Sequence, residues 1–365
     1  MEPQNNSSSI KILRCPNCFG TVNFVPGKGK VVCEFCGCEF DVDENSDENL
    51  IQGFDFREFY DGVKQDDCEN LPIYYCKSCG AEIIAANEEA SLTCPYCTNK
   101  IVLSNKVSGK FRPDGIIPFK IPQSELKRHL DEFYKDKKLL PKNFFSQSKL
   151  EKVTGIYVPF WLFSGTLEGT FTFSGNKSKS SIQGDYTITE TSTYDIERQG
   201  YVTFEDIPLD ASEKIDDALM DSVLPYDFSK IKNFNYQYLA GFAADRFDVP
   251  GKSLQKRAED RMIQTASKIS YAKVSSGYSN VRMKKSNLKA TDVKVKYILL
   301  PVYLFSIKYG GNKYEFSING QNGKVVGNLP IDKNVCWIYR LKKAIIPAAI
   351  VALYYILSYF IGWRI

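Results

Sequence analysis

Eight cysteines fall into two groups with the same internal spacing, and this spacing predicts two metal sites. Each group follows the pattern Cys-x2-Cys-x14-Cys-x2-Cys. A Cys-x2-Cys step aims two thiolates at one point, and the segment between the two steps is long enough for a hairpin that brings them together. The predicted ligands are Cys15, Cys18, Cys33 and Cys36 in the first group and Cys76, Cys79, Cys94 and Cys97 in the second.

Four thiolates in each group favour structural Zn²⁺, so the sequence predicts two zinc ribbons with four cysteine ligands each. A catalytic zinc keeps one coordination position open for water, whereas neither group has a histidine or glutamate in place of a cysteine ligand. Disulfide bonds in a secreted protein are the alternative. Residues 1–9 lack the basic and apolar regions of a signal peptide, so we expect a reducing compartment and metal binding.

Three further cysteines lie outside the two groups. Cys38 follows the first group so closely that it could compete as a ligand, but we interpret it as a small residue in the strand that leaves the first ribbon. Cys68 and Cys336 have no partner by spacing, and we interpret both as ordinary buried or interfacial residues.

A long uncharged segment predicts a membrane anchor near the C-terminus. Residues 344–363 carry no charge, and about twenty helical residues span the hydrocarbon layer of a bilayer. The basic residues Lys333, Arg340, Lys342 and Lys343 precede the segment, whereas only Arg364 follows it. The positive-inside rule therefore predicts a single-pass, tail-anchored protein of the cell membrane, with a cytoplasmic N-terminal body and the C-terminus outside. A buried helix of a soluble protein is the alternative.

The charge distribution bears on the expected partners. The chain of 365 residues has a formal charge of +4, but acidic residues predominate up to residue 260 and basic residues after it. The basic part would suit an anionic lipid surface, although a solvated face explains it equally well. Its charged residues include Lys268, Arg282, Lys284, Lys285, Lys289, Lys294 and Lys296.

Between the second ribbon and the anchor, the sequence predicts a mixed α+β body. Apolar residues at helical spacing predict helices between Pro122 and Pro141, over 212–223 and over 252–272. Alternating aromatic and β-branched residues predict strands at 155–163, 166–173, 186–196, 201–204, 293–308, 313–318 and 324–327. The expected organisation is a first ribbon (1–40), an acidic linker (41–70), a second ribbon (71–105), the α+β cytoplasmic body (106–332), and a basic juxtamembrane segment with a transmembrane helix (333–365).

An internal repeat predicts two related antiparallel β units within the body. Residues 157–164 and 299–306 share a Pro-x-aromatic-Leu-Phe-Ser pattern, and a further aromatic strand follows each. The prolines, Pro159 and Pro301, predict an edge or bulge position, where the missing N–H breaks no ladder bond. The repeated residues either line a groove between the two units or form the core of the sheet, and we favour the core.

Residues typical of catalysis do not assemble into a site, so we expect no enzyme. His129 is the single histidine, and it lies in a predicted helix, where it is more typical of packing than of a triad. The segment 250–253 imitates the end of a phosphate-binding loop, but Arg246 stands where that loop requires glycine. We interpret this segment as the start of a helix.

Short motifs spread over nearly the whole chain are specific when they are taken together. They are 76–84, 94–97, 155–163, 220–222, 238–242, 300–305 and 319–324. In these motifs the chain resembles bacterial double zinc-ribbon membrane proteins of the YdjG type, whose ribbons are labelled transcription-factor-IIB-type. The resemblance implies a single-pass membrane protein that recruits phage-shock-protein-A-like and flotillin-like (SPFH) proteins of an envelope-stress system.

The expected function is therefore that of a membrane-anchored, zinc-binding scaffold that recruits cytosolic proteins to the cell membrane. The alternative is a zinc-ribbon nucleic-acid-binding protein tethered to the membrane. Acidic residues crowd the segment 41–69 beside the ribbons, whereas binding to a phosphate backbone requires clustered Lys and Arg. This charge makes protein partners the better expectation.

Overall fold

Strands form most of the regular structure of the chain. The computed structural model describes residues 13–42, 54–55, 73–85, 92–97, 99–103, 113–141, 144 and 153–361. Within these ranges, the strands belong to a small three-stranded sheet and to a larger mixed sheet. The strands are β1 (Val22–Val25), β2 (Lys30–Cys33), β3 (Glu39–Asp41), β4 (Phe54–Asp55), β5 (Ile73–Tyr75), β6 (Glu82–Ala85), β7 (Leu92–Thr93), β8 (Lys100–Leu103), β9 (Gly115–Ile116), β10 (Thr154–Gln183), β11 (Tyr186–Asp210), β12 (Lys232–Asn233), β13 (Ala243–Asp245), β14 (Ser279–Tyr309), β15 (Asn312–Asn319) and β16 (Val325–Gly327).

Helices are few, and the predicted α+β fold with two related β units is wrong. The α-helices of the described residues are α1 (Leu126–Lys135), α2 (Asp217–Val223), α3 (Gly251–Ser275) and α4 (Lys333–Ile361). The segments predicted as separate strands merge, because the chain passes Ser164 in a bulge and remains extended. β10, β11 and β14 thereby reach 30, 25 and 31 residues. The repeated segments are neighbouring strands of one sheet, since Tyr157 pairs with Pro301.

The three long strands form an antiparallel arm in the order β14, β10, β11. At about 3.3 Å per residue, β10 would extend roughly 95 Å. Helix α3 packs along the inner part of the arm through a buried stripe of Leu254, Ala258, Met262 and Ala266, whereas Ile269, which continues the same spacing, is exposed. Beyond Gly175 the β10–β11 hairpin is exposed on both faces almost throughout. The helix thus covers only the base of the arm.

Both faces of the central sheet are covered, so its strands are apolar on both sides. Tyr157, Trp161 and Phe163 of β10 face the cluster that includes α1 and α3, whereas Val158 and Phe160 face α2. All five side chains are buried, which confirms that the repeated segments form the core of the sheet. Full burial of such a side chain stabilises the fold by about 1.5–3 kcal/mol.

The two prolines of the repeat occupy central strands, and neither an edge nor a bulge accommodates them. The carbonyl oxygen of Pro159 accepts from the N–H of Ala211, one residue beyond the end of β11. The carbonyl oxygen of Pro301 accepts from the N–H of Gly320, one residue beyond the end of β15. The N and C=O of a strand residue point to the same side, so each proline nitrogen faces a place where a neighbouring strand has just ended. The missing N–H therefore costs no ladder bond.

Helix α4 occupies the predicted anchor segment, and the prediction of a transmembrane helix there is wrong. Within the described ranges, the structure contains no helix that combines the length and the apolar composition needed to cross a bilayer. The first third of α4 is basic, and the helix contains Pro347. Its uncharged part, 344–361, would measure about 27 Å, whereas the hydrocarbon layer of a bilayer is about 30 Å thick. The prediction of a single-pass, tail-anchored protein of the cell membrane depended on this transmembrane helix and is therefore wrong as well.

Candidate metal centres

Each predicted set of four cysteines converges on one point. Within each set the sulfur atoms all lie within 4.8 Å of one another. The Sγ–Sγ distances are 3.6 Å for Cys15–Cys36, 3.4 Å for Cys18–Cys33, 3.5 Å for Cys76–Cys97 and 3.6 Å for Cys79–Cys94. Sulfurs placed tetrahedrally at 2.3 Å from a common centre would lie about 3.8 Å apart. Both sets can therefore hold a metal ion.

The same hydrogen bond closes all four Cys-x2-Cys turns. In each turn the N–H of the first cysteine donates to the carbonyl oxygen five residues later. The pairs are Cys15 with Gly20 (3.0 Å), Cys33 with Cys38 (3.0 Å), Cys76 with Ala81 (2.8 Å) and Cys94 with Asn99 (2.8 Å). This bond reverses the chain tightly, so the backbone alone orients two sulfurs toward the centre of each set.

The fifth residue of a turn lies in the left-handed region of backbone conformation in three of the turns. Gly37 and Gly80 take this position with φ of 69° and 74°, values that glycine adopts without strain. Phe19 takes it in the first turn with φ of 59°, a conformation in which the Cβ atom of an L-residue is crowded. The first turn is therefore strained where the two glycine-containing turns are relaxed.

Backbone N–H groups favour the thiolate form of two cysteines. The N–H groups of Cys36 and Phe35 donate to the sulfur of Cys33 and lower its pKa to about 6, against the effect of burial. Burial raises the pKa of Cys76, but the N–H groups of Cys79 and Ser78 outweigh it and bring the pKa to about 7. These donors are in place before any metal binds.

Three other thiols, those of Cys18, Cys79 and Cys94, resist ionisation because their pKa values are raised. Burial raises the pKa of the Cys79 and Cys94 thiols, and their neighbouring thiols contribute. The pKa of Cys18 rises to about 12, because hydrogen bonds with Cys33 and Cys36 outweigh the favourable N–H of Gly20. A bound divalent cation would lower these raised pKa values, because a coordinated thiol is deprotonated. The donor set thus fits a metal ion that prefers thiolate.

The first ribbon forms its own small sheet. Among the described residues, strands β1, β2 and β3 pair with one another and with no strand of the main sheet, and Val22 lies opposite Cys33. The N–H of Phe24 donates to the carbonyl oxygen of Ala240 at 2.9 Å. The Phe24 ring meets Tyr238 edge-on, with 5.3 Å between centroids. The contact with the body therefore combines a backbone hydrogen bond with apolar packing that joins the ribbon to the main core.

The second ribbon is part of the main sheet. Strand β6 pairs antiparallel with β13, Ile83 opposite Asp245, and β13 in turn pairs with β10. The salt bridge between Arg246 and Glu82, at 3.1 Å, lies at the same junction. Strand β6 consequently belongs both to the second ribbon and to the body sheet.

A buried carboxyl fixes the second ribbon from the other side. Tyr96, inside the last Cys-x2-Cys turn, donates its hydroxyl to Asp245 at 2.5 Å. Ser212 donates to the same oxygen at 2.9 Å, and Lys214 forms a salt bridge with the other oxygen at 3.3 Å. Burial raises the pKa of Asp245, although these three donors counteract it. We call Tyr96, Asp245, Ser212 and Lys214 the Tyr96 socket; sequence reasoning missed it.

The comparison with known proteins extends over most of the chain. The chain is 31% identical over 320 residues to YdjG of Bacillus subtilis (strain 168), and the alignment covers 88% of this chain and 90% of that protein. The chain belongs to the YdjG family. Neither a family model nor a solved structure matches it.

The other predicted residues of this YdjG-family chain lie apart from the two centres. Cys38 precedes β3, outside the first set, and its sulfur accepts from the side chain of Asn17 at 3.0 Å. Cys336 lies in α4, and Cys68 lies outside the described residues, as does the acidic linker apart from 41–42 and 54–55. The predicted basic surface runs from α3 along β14, where Lys284 and Lys296 form salt bridges with Asp195 and Asp206.

A cavity of about 960 Å³ lies between the second ribbon and the body. Cys79, Cys97 and Tyr96 line its ribbon side, and Leu219 and Phe316 line its body side. Two salt bridges lie in its wall, one between Lys214 and Asp248 (2.8 Å) and one between Lys313 and Glu315 (2.6 Å). The lysines are neutralised by these neighbours, so the cavity presents no free cation of its own.

Proposed function

We propose that this YdjG-family protein is a zinc-binding scaffold whose two ribbons present rigid docking surfaces to partner proteins. One observation carries the proposal: both four-cysteine sets have the sulfur geometry of a closed structural site while some of their sulfurs remain at the surface. A closed tetrahedral site stabilises a ribbon and leaves no coordination position for a reaction. The proposal accordingly assigns binding, and no catalysis, to the chain.

Zinc is the metal we propose for both centres, in ribbons of the transcription-factor-IIB type. Four thiolates in a tetrahedron suit Zn²⁺ or iron. Metal analysis of the purified chain should give about two zinc per chain and negligible iron. A red, iron-loaded protein would contradict this assignment.

The proposed partners are phage-shock-protein-A-like and flotillin-like (SPFH) proteins of an envelope-stress system, as implied by the resemblance. The surfaces lie in the ribbons, so docking does not require a membrane span. The test is a binding assay between the purified full chain and the phage-shock-protein-A-like protein of the same organism. Cys76→Ser and Cys94→Ser should abolish binding, and Cys336→Ser, outside both sets, should not. Normal docking by the zinc-depleted variants would show that the ribbon role is wrong.

Nucleic-acid binding has weaker support. In the first ribbon, Lys28 and Lys30 form ion pairs with Glu39 and Asp41, at 2.5 and 3.5 Å. Paired lysines neutralise few phosphates, and phosphate contacts supply most of the affinity for DNA. Gel shifts of the full chain at two salt concentrations test this: salt-sensitive binding in the micromolar range or tighter would favour the nucleic-acid function.

A further inference from the structure

The second ribbon shows how this module docks, and the first ribbon repeats the docking residue at a position that is exposed among the described residues. The identical spacing makes Phe35 the counterpart of Tyr96, since each is the third residue of the second Cys-x2-Cys turn. Tyr96 packs against a buried apolar cluster of the body that includes Ile215 and Met220, and its hydroxyl donates to Asp245. Phe35 is 76% exposed. The same position is thus an anchor in one ribbon and a free aromatic ring in the other.

A glycine determines where the Phe35 ring lies. The ring rests over Gly20, where an added Cβ would come within 2.5 Å of its Cδ2 atom. The counterpart of Gly20 is Ala81, whose methyl group occupies that space, and Tyr96 turns toward the body. Because Gly20 has no side chain, the Phe35 ring can pack against its own ribbon, which keeps the ring in one position on the surface.

A second exposed aromatic residue, Phe19, precedes Gly20, the residue over which the Phe35 ring lies. Phe19 is also 76% exposed, although its backbone is in the left-handed region that Gly80 occupies in the second ribbon. An exposed phenylalanine in a strained position contributes little to folding. Aromatic side chains are, however, the usual anchors of protein interfaces, where they fill pockets in the partner. Phe19 strains the backbone and remains exposed to water, and this combination favours a role in binding a partner over a role in folding.

The charge around these rings restricts the partner. Cys18 and Cys36 are the exposed sulfurs of the first set, and a zinc held by four thiolates has a net charge of about −2. Glu34 adjoins Phe35 and adds another negative charge. Lys28 and Lys30 are engaged with acids at the far end of the hairpin. The face is apolar with an anionic border, so a complementary surface is an apolar pocket with a basic rim.

We propose that the face formed by Phe19, Phe35, Cys18 and Cys36 is the docking surface of the first ribbon for a folded protein that presents such a pocket. The inference rests on the proposed function and specifies which surface of the scaffold binds. The body itself supplies a precedent for the apolar part of such a pocket, because Tyr96 of the second ribbon packs against a buried apolar cluster of the body.

The test is a binding titration of the full chain with the purified phage-shock-protein-A-like protein. The double variant Phe19→Ser/Phe35→Ser should weaken binding at least about tenfold, because two aromatic anchors are removed. Tyr201→Ser removes a ring that is 77% exposed on β11 and should leave the affinity within about twofold. Zinc content should be equal in all three proteins. Unchanged affinity of the double variant would overturn the proposed face and leave the scaffold function standing.

If the wild-type chain does not bind that protein at all, the proposed partner is wrong. A cross-linking experiment then tests the proposed face without assuming that partner. Benzoylphenylalanine is placed at position 35, and at position 201 as control, in the full chain in its host cells. A cross-link from position 35 that maps to an apolar pocket with basic residues on another protein would support the face. The absence of a cross-link specific to position 35, or one to a second copy of this chain, would overturn it.

Discussion

The two ribbons share one ligand spacing and one turn geometry, yet they differ in how much of the molecule depends on them. The first is held by the edge of β1 and an apolar contact at Phe24. The second contributes β6 to the main sheet and places Tyr96 in a buried socket. A metal module can thus be an appendage or a structural part of a fold. The residues between and beside the ligands decide which it becomes.

Replacing equivalent ligands should give the largest contrast. Cys33 and Cys94 are both buried and both begin the second turn of their ribbon. We expect Cys94→Ser to lower the free energy of unfolding of the body by about 3 kcal/mol, because metal loss also removes strand β6. Cys33→Ser should lower it by less than about 1 kcal/mol. Hydrogen exchange of the β10 amides measures both, and equal protection losses would contradict the distinction.

The Tyr96 socket offers a matched pair of smaller changes. Tyr96→Phe removes one of three donors to Asp245 and leaves a buried carboxyl short of a hydrogen bond, a loss of about 1–3 kcal/mol. Phe35→Tyr adds the same hydroxyl to the equivalent, exposed position and should change stability by less than about 0.5 kcal/mol. Urea denaturation of the two variants gives both values. A stable Tyr96→Phe variant would mean that packing alone holds the second ribbon.

A second buried carboxyl, two residues before Ser212 of the socket, should make the stability of the body depend on pH. Asp210 is 2% exposed, and among the described residues no hydrogen bond of ordinary geometry reaches either of its carboxyl oxygens. Burial, with repulsion from Asp217, raises its pKa to about 8, against about 4 in an unfolded chain. The folded state therefore holds the proton between these values, so this stabilising contribution is complete below about pH 4 and is lost as the pH rises through 8.

Asp210→Asn tests that dependence. The variant should lose less stability than the wild type between pH 5.5 and 8.5, by on the order of 3 kcal/mol, because an amide has no proton to release. Urea denaturation at the two pH values provides the measurement, and parallel losses in the two proteins would exclude the assigned role.

Local features could be predicted from the sequence, and distant contacts could not. Cysteine spacing places the sulfurs because each turn closes within six residues, and the start of α3 at Gly251 was predictable from Pro250. Tyr96 and Asp245 are 149 residues apart, and the sequence pattern contained no sign that they meet. Alternation predicted strands in the right places, but it could not show that the chain continues through Ser164 to form a single long strand.

The smallest expected effect separates folding from docking in the first ribbon. Phe19→Gly relieves the crowding at φ 59° but also adds freedom to the unfolded chain, so stability should rise by only about 0.5 kcal/mol. Gly80→Ala, the opposite change in the second ribbon, should lower stability, since its φ of 74° disfavours a side chain. If the exposed face binds a partner, Phe19→Gly should weaken that binding while it strengthens the ribbon. Thermal unfolding and the binding titration, performed on one preparation, would reveal this opposition; a variant that gains stability and binds unchanged would assign Phe19 no part in docking.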